Sequence, residues 1–330
     1  MTLIRLTVAQ ALRRAVARAT LAPSVHNSQP WRFALRGNVL ELHADRVRQL
    51  HVLDPVGRQL AISCGCALFN ARVALAAAGY GCRVERLPDP ADSSLLARIT
   101  AIEDGRGPDA DEIAVLDAVV ELRHTNRRRF AEEPVPDELI DRLALLAAAE
   151  HAQLTEITEE GQRIATAVLS QRADALENAD SAYRAELRAW TTDQPDRLDG
   201  VPALAVPRGG QLSYDDIPLR DFDTSGHGAL PAATHSGVDQ CLLLLWTAAD
   251  SPLNWLQAGE ALQRVLLELT RQGYVAGIMS QVAEVPTVRA MLAAELRLPG
   301  SPHLLLRVGR APATPATRRR RLVEVLVEHL

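Results

Sequence analysis

Residues 23–31 read Pro23-Ser24-Val25-His26-Asn27-Ser28-Gln29-Pro30-Trp31, and they place turn-forming and amide side chains between two apolar patterns. Pro23 ends a helical pattern over 11–21, Ser24 stands where it can cap the segment after it, and a strand pattern runs over 31–35. Asn27 and Gln29 each carry a side-chain amide donor and an acceptor. Such a set suits a heterocycle with alternating carbonyls and ring nitrogens. Turn chemistry taken alone favours a plain polar turn between helix and strand, so the rest of the chain has to decide.

At 330 residues, 47% hydrophobic and 23% charged, the chain is long enough for two domain-sized cores and has the balance of an ordinary globular protein. Residues 1–8 show no secretory pattern and no run of about 18 apolar residues stands out, so the expectation is a cytoplasmic protein with no membrane partner. Cys64, Cys66, Cys82 and Cys241 follow no zinc-ligand spacing and no C-x-x-C; buried, reduced thiols are expected and no metal. There is no lysine: all 36 basic residues are arginine. That excludes a P-loop and a pyridoxal Schiff base, both of which need the amine. A net charge of -5 argues against a general nucleic-acid partner, although Arg318-Arg319-Arg320-Arg321 is a local basic cluster that also reads as a solvated helix start.

The chain resembles itself. Gly65-Cys66-Ala67-Leu68 recurs as Gly259-Glu260-Ala261-Leu262, Leu75 aligns with Leu269, and Gly79-Tyr80 aligns with Gly273-Tyr274. Both segments have helical apolar spacing closed by a glycine suited to a left-handed cap. Each precedes a strand-like piece, 95–99 in one case and 304–308 in the other. The reading is a duplicated α+β unit, roughly 8–108 and 121–330, with 104–112 as a charged, glycine- and proline-bearing linker. The longer second unit holds its extra length in 161–190, read as one amphipathic helix with Ile164, Ala167, Val168, Gln171 and Leu176 on its buried face. It also holds 207–237, a loop long enough to expect function of it, which ends at a buried strand over 241–246.

The second unit opens on Arg123-His124-Thr125-Asn126-Arg127-Arg128-Arg129-Phe130 and a helix over 137–150. Guanidinium groups bind phosphate oxygens in pairs of hydrogen bonds, so this ribbon reads as an anion site, or else as a surface ribbon pairing with Glu132, Glu133 and Asp137. The first unit has no arginine cluster at the matching place, and the second has no Pro-Ser or Asn-Ser-Gln. Each unit kept one half. Packed as a symmetric pair, the two survivors face each other and make one complete site.

PSVHNSQPW, the RHTNRRRF ribbon and the C-terminal TRRRR together resemble the flavin-binding elements of the nitroreductase fold, and their tandem order is similar to the Acg-type NAD(P)H nitroreductases of actinobacteria. The resemblance covers nearly the whole chain, least over 155–240. It implies an α+β, nitroreductase-like fold whose two tandem units, 1–110 and 111–330, pack as a pseudo-dimer within a monomer, with one composite FMN site. Loop residues Pro23, Ser24, Val25 and Asn27 then line the isoalloxazine and its ribityl side, within a loop that includes His26 and Ser28 and is supported by Gln29. Arg123, Thr125 and Arg127 reach the phosphate and ribityl hydroxyls, Arg318 and Arg320 complete the phosphate clamp, and Met279, Ser280 and Gln281 place a backbone N–H near flavin N5 and O4.

Two functions stay open. One is a flavin protein whose ring is covered by a lid over 207–237, with Gly209, Gly210, Gly226 and Gly228 as hinges and Tyr214, Phe222 or His227 over the ring. Such a protein shows little classical nitroreductase activity and stores or sequesters FMN. The alternative is an NAD(P)H-dependent flavin oxidoreductase acting on nitroaromatics or quinones. The lid segment has a third reading, in which it only fills the vacant second site.

Overall fold

A computed structural model of the chain describes residues 6–103, 109–128, 130–192, 194, 196–206, 217–218, 220–222, 230 and 240–329. Helix α1 (Val8–Ala19) starts at a capping box: the Thr7 hydroxyl accepts from the Gln10 N–H and the Gln10 side chain accepts from the Thr7 N–H. Strands β1 (Trp31–Arg36) and β2 (Val39–Ala44) form a hairpin around Gly37, and are followed by α2 (Arg58–Ala77), β3 (Gly81–Arg86) and β4 (Leu95–Ile102). A short α3 (Ala110–Ala114) leads to α4 (Asp137–Ala149) and β5 (Gln153–Glu156). Then come α5 (Glu160–Ala179), α6 (Ser181–Trp190), the two-residue strands β6 (Thr191–Thr192) and β7 (Val201–Pro202), and β8 (Cys241–Thr247). The chain closes with α7 (Pro252–Arg271), β9 (Val275–Met279), α8 (Gln281–Glu284), α9 (Pro286–Glu295), β10 (Ser301–Gly309), α10 (Leu322–Val325) and β11 (Leu326–His329).

One sheet has the order β11-β1-β2-β4-β3 and the other β5-β8-β10-β9. Setting aside the insertion between β5 and β8, α1-β1-β2-α2-β3-β4 recurs as α4-β5-β8-α7-β9-β10 with the same neighbours. The repeated leucines and glycines explain the likeness locally. Gly79 and Gly273 are both left-handed, at φ 84° and 77°. They let the Tyr80 N–H reach the Leu75 carbonyl at 3.0 Å and the Tyr274 N–H reach the Leu269 carbonyl at 2.8 Å, closing each helix the same way.

Helices α2 and α7 cross at Gly65 and Gly259, and one continuous apolar cluster runs through both helices and both sheets. The α+β pseudo-dimer is therefore a single packed body. Its C-terminus ties it further, because β11 pairs parallel with β1 and completes the first unit's sheet. Helix α2 is long and apolar enough to cross a membrane by length and composition, contrary to the reading that no such run exists, but the fold buries nearly all of it between the sheets.

Residues 161–190 are two helices rather than one. Asp180 breaks them by accepting from the Ala182 and Tyr183 N–H groups, as an N-cap does. The expected buried face is also turned. Ile164, Val168 and Leu176 are 40%, 51% and 47% exposed; of the expected face Ala167 is buried, together with Thr166, Leu169, Ser170 and Ala173. Small residues win that face because α8 and α9 lie against it. Of the loop 207–237, residues 217, 218, 220–222 and 230 belong to the described set; Gly209, Gly210, Tyr214, Gly226, His227 and Gly228 lie outside the described residues.

Candidate flavin-type site

A cleft opens beside the α2–α7 crossing, with an empty space of about 1190 Å³ counting its mouth. Its walls come from both units: Ser63 and Cys66 of α2, Leu262 of α7, and the end of β9. Residues 123–127 run alongside β9, with the Asn126 N–H bonded to the Ala276 carbonyl at 2.9 Å and a bridge between Thr125 and Ala276. Extended backbone puts alternate residues on opposite sides. Arg123, Thr125 and Arg127 accordingly face the cleft with His124 beside them, while buried Asn126 turns away and donates to the Pro312 carbonyl at 2.9 Å. Gly277 permits this approach, since a Cβ there would meet the Asn126 carbonyl oxygen at 3.0 Å.

The 23–31 loop is held open by backbone that ordinary residues avoid: His26, Asn27 and Gln29 have φ of 49°, 53° and 50°. Ser24 does not cap a helix; its hydroxyl accepts from the Gln29 N–H at 2.9 Å. Ser63 accepts from the Val25 N–H at 3.1 Å and fixes the loop to α2. Pro23, Ser24, Val25, His26 and Asn27 line the cleft, and Ser28 and Gln29, both fully buried, do not.

The amides are spent inside the protein. Asn27 donates to the carbonyls of Gly200 and Arg318 at 3.0 and 3.1 Å and accepts from Arg319 at 3.0 Å. Gln29 donates to the Leu198 carbonyl at 2.8 Å and accepts from the Arg320 N–H at 2.7 Å. Their work is to anchor the C-terminal segment against the loop. Residues 310–321 cross from β10 to the first unit without regular structure, and Pro315, Thr317 and Arg319 enter the cleft wall.

The sequence reading therefore missed one register step in the basic run. Arg318 is exposed, and Arg320 turns to the carbonyls of Gln29 and Trp31 and to Asp45. Arg319 is the member that faces the cleft. Nothing in a coil segment gives the periodicity that would have picked it out, since the choice is made by Asn27, 292 residues away.

Arg123 is 4% exposed and makes a long contact of 3.4 Å to the Leu21 carbonyl, while its Nε and Nη1 have no partner. Arg319 reaches the same carbonyl, and its Nε is also unpartnered. Among the described residues no carboxylate pairs with Arg123, Arg127 or Arg319. Burial pulls Arg123 and Arg127 down to about 10, helped for Arg127 by repulsion from Arg220, and pulls Arg319 down to about 9 with repulsion from Arg123. All three remain cationic at neutral pH. Buried cations without counter-ions are costly, and unspent guanidinium donors facing a cleft form an anion cradle.

Met279, Ser280 and Gln281 all line the cleft at the end of β9. Gln281, however, turns its amide to Glu177 and Asp174, at 2.8 and 3.0 Å. From the 207–237 segment, Phe222 and Arg220 reach the cleft. Arg220 binds Glu284, donates to the Tyr183 hydroxyl at 2.7 Å and lies 3.1 Å from His26 Nε2. Burial alone would lower this guanidinium, but Glu284, Tyr183 and Glu177 outweigh it and raise it. Cys66, pushed up to about 12 by burial, offers no thiolate. No group of three or more metal-ligating side chains occurs among the described residues.

Glu177 stands behind this cluster with a pKa pushed up to about 8, mainly by burial and further by Glu284, against the pull of Arg220. A carboxyl raised in the fold keeps its proton where the unfolded chain has lost it. Stability on its account is full below about pH 4.5 and is lost as pH rises toward 8, with a slope of up to about 1.4 kcal/mol per unit. Urea titrations at pH 5.5 and 7.5 should show Glu177→Gln losing less stability across that interval than the parent. Equal losses in both proteins would mean that Glu177 is ionised throughout.

No family model matches the chain. A Mycobacterium tuberculosis protein named "Putative NAD(P)H nitroreductase acg" is 32% identical over 325 residues, 95% of this chain and 94% of its own length. A second M. tuberculosis protein, also named a putative NAD(P)H nitroreductase, is 34% identical over 326 residues, 96% of this chain and 91% of its own. The chain belongs to the Acg-type nitroreductase family. Among solved structures, the FMN-dependent nitroreductase NfnB from Mycobacterium smegmatis in complex with NADPH is 17% identical with a TM-score of 0.38, covering 64% of this chain and 97% of that one. A Bacteroides fragilis nitroreductase with bound FMN is 10% identical at a TM-score of 0.37, covering 62% and 93%. The family assignment rests on the sequence relatives; both units of this Acg-type chain fall within their span.

Proposed function

We propose that this protein binds one FMN per chain in the cleft beside the α2–α7 crossing, and that the 207–237 segment shields the ring so that classical nitroreductase turnover is low and the flavin is stored. The observation that carries the reading is Arg123, buried at the cleft with Nε and Nη1 unpartnered, beside half-buried Arg319 with its Nε unpartnered, neither paired with a carboxylate among the described residues. A phosphate monoester, with two charges and three acceptor oxygens, fits that deficit. Thr125 and Thr317 also line the cleft, and the Thr317 hydroxyl already accepts from Arg319. Bound flavin would supply two-electron redox chemistry; Arg123 and Arg319 would hold its phosphate, and the 23–27 loop and the end of β9, which line the same cleft, would take its ring.

A single site is supported from the other side of the pseudo-symmetry. In the glycine alignment Cys66 of the cleft corresponds to Glu260, and Glu260 is fully buried between Arg72 at 2.8 Å and Arg86 at 2.6 Å. Buried Glu150 joins Arg72 to Arg264, and Arg264 continues to Glu112 at 2.8 Å. An ionic network thus occupies the position that matches Cys66 of the cleft. Since the chain supplies both halves of the site, a monomer suffices.

The names of the M. tuberculosis relatives suggest the other reading, an NAD(P)H-dependent reductase, and one experiment separates the two. Apoprotein titrated with FMN should saturate near one equivalent. The loaded protein should then be reduced readily by dithionite and at least about tenfold more slowly by NADPH, because only the large donor must stack on the ring. Fast NADPH reduction with turnover of a nitroaromatic or quinone would replace storage by ordinary reductase function; two equivalents would end the composite-site argument.

A further inference from the structure

Outside the cleft, one ion-paired cluster stands at the root of both halves of the site. The chain leaves α1 at Ala19 and reaches the 23–27 loop through Leu21 and Ala22, while a short 3-10 helix, Val115–Val119, reaches the 123–127 ribbon through residues 120–122. Asp117 of that 3-10 helix meets the last two turns of α1. Its Oδ2 accepts from Arg14 and, at 3.5 Å, from Arg18 Nη2, and its Oδ1 lies 3.3 Å from Arg18 Nε, an ion pair without a hydrogen bond. Glu121 adds a second carboxylate on Arg18. The Asp117 side chain is 13% exposed, so solvent and salt screen it less than they screen a surface pair.

On its α1 side the cluster is fastened to the frame. Arg14 donates to the Ala74 carbonyl of α2 at 3.0 Å, the Asn70 amide of α2 donates to the Arg18 carbonyl at 3.0 Å, and Gln263 of α7 donates to Asn70 at 2.7 Å. Asp117 thereby ties the root of the ribbon to both crossing helices. Beyond the cluster the leads are short. Leu21, three residues past Arg18, presents the carbonyl that Arg123 and Arg319 both reach at 3.4 Å, and the Arg123 N–H bonds the Val119 carbonyl at 3.1 Å. Contacts of 3.4 Å hold a guanidinium weakly, and Arg123 repels Arg319. Leu116 and Val120 pack with Phe69, Val73 and Leu267 and keep the 109–122 segment down, but apolar contact has no direction and does not fix its place along the helices. The ion pairs of Asp117 do. They act through the backbone, since Asp117, Arg14 and Arg18 do not line the cleft and, among the described residues, no carboxylate is felt at Arg123.

We infer that Asp117, through Arg14 and Arg18, is a positioning residue that sets the spacing between the two half-sites and keeps Arg123 beside Arg319. The inference rests on the reading of those two arginines as the phosphate grip and adds to it the residue, outside the cleft, that holds the grip together.

The test titrates apoprotein of the full chain with FMN and with riboflavin, following flavin fluorescence. Asp117→Asn should weaken FMN about three- to tenfold, part of what a charge-assisted contact is worth, and leave riboflavin within about twofold. Asp117→Glu should recover part of the FMN affinity. In an Arg123→Met background Asp117→Asn should weaken FMN no further, because a residue that acts only through Arg123 has nothing left to position. Arg13→Met, which breaks the ion pair of Arg13 with Glu328 on the same helix, should leave FMN unchanged. Near-ultraviolet circular dichroism checks the fold, and should Asp117→Asn not fold, Arg14→Met and Arg18→Met, each leaving the carboxylate one partner, are read in its place. FMN affinity of Asp117→Asn equal to the parent's, equal losses of FMN and riboflavin, or a full further loss in the Arg123→Met background would each overturn the inference. If Arg123→Met weakens FMN and Asp117→Asn does not, the phosphate grip stands and only the positioning role falls. If the parent takes no FMN, or Arg123→Met leaves FMN unchanged, the grip itself falls and the positioning role falls with it.

Discussion

Arg319→Met should bind FMN about ten- to a hundredfold more weakly than the parent, while riboflavin binding stays within about twofold. A charge-assisted hydrogen bond pair contributes about 1.5 to 3 kcal/mol, and riboflavin has no phosphate to lose it. Arg123→Met should behave alike, since its Nε and Nη1 are free for the same anion. Arg318→Ala is the internal control: its side chain is exposed, and the carbonyl that accepts from Asn27 survives the substitution. Parallel loss of FMN and riboflavin in Arg319→Met would mean that Arg319 acts on the ring or on the fold. An effect of Arg318→Ala as large as that of Arg319→Met would assign the clamp to the wrong arginine. Apoprotein titrations followed by flavin fluorescence read all three.

Such a prediction needs structure because the basic run carries no internal sign of which member points inward. What the sequence does show is strictly local or strictly repeated. Gly79 and Gly273 were legible as caps because only glycine takes φ near 80° without penalty, and their spacing from Gly65 and Gly259 displayed the duplication. The loop 23–31 was legible from its composition only as a break between helix and strand; its reading as part of a site came from the resemblance. The use of Asn27 and Gln29 was not legible. An amide that can meet a heterocycle can equally meet a backbone carbonyl, and here the carbonyls of residues 198, 200 and 318 arrive first. The same limit turned α5. Apolar spacing picked Ala167 rightly but Ile164, Val168 and Leu176 with it, whereas that helix packs through Thr166, Ala167, Leu169, Ser170 and Ala173, mostly small residues that carry little periodic hydrophobic signal. Arg220 escaped notice because its partners Glu284, Tyr183 and His26 come from three distant segments.

Gly259→Ala should cost at least about 3 kcal/mol of stability, and Gly259→Val should leave little folded protein. A Cβ at 259 would stand 2.0 Å from the Ile62 carbonyl oxygen and 2.8 Å from Gly65 Cα; one at Gly65 would stand 2.1 Å from the Leu256 carbonyl oxygen. These obstacles are backbone of the facing helix, so no rotamer relieves them and the two helices must separate. Overpacking of this kind typically costs about 1 to 3 kcal/mol and more where nothing yields, against a total stability of about 5 to 15 kcal/mol. Helix propensity pushes the opposite way, because alanine gains about 0.5 to 1 kcal/mol over glycine in a helix. Gly161→Ala isolates that opposing term: its Cβ would meet only the Glu159 side chain at 4.0 Å, and the variant should be neutral or slightly more stable. Gly65→Ala combined with Gly259→Ala should cost less than the sum of the two, since helices already parted for one methyl have room for the next. Because α2 and α7 each contribute to the cleft wall, any Gly259→Ala protein that folds should also lose ligand affinity in proportion to the parting of the helices. Urea denaturation of the three single variants decides the matter, and a Gly259→Ala protein as stable as Gly161→Ala would show that the crossing is not held by close contact of the two glycines.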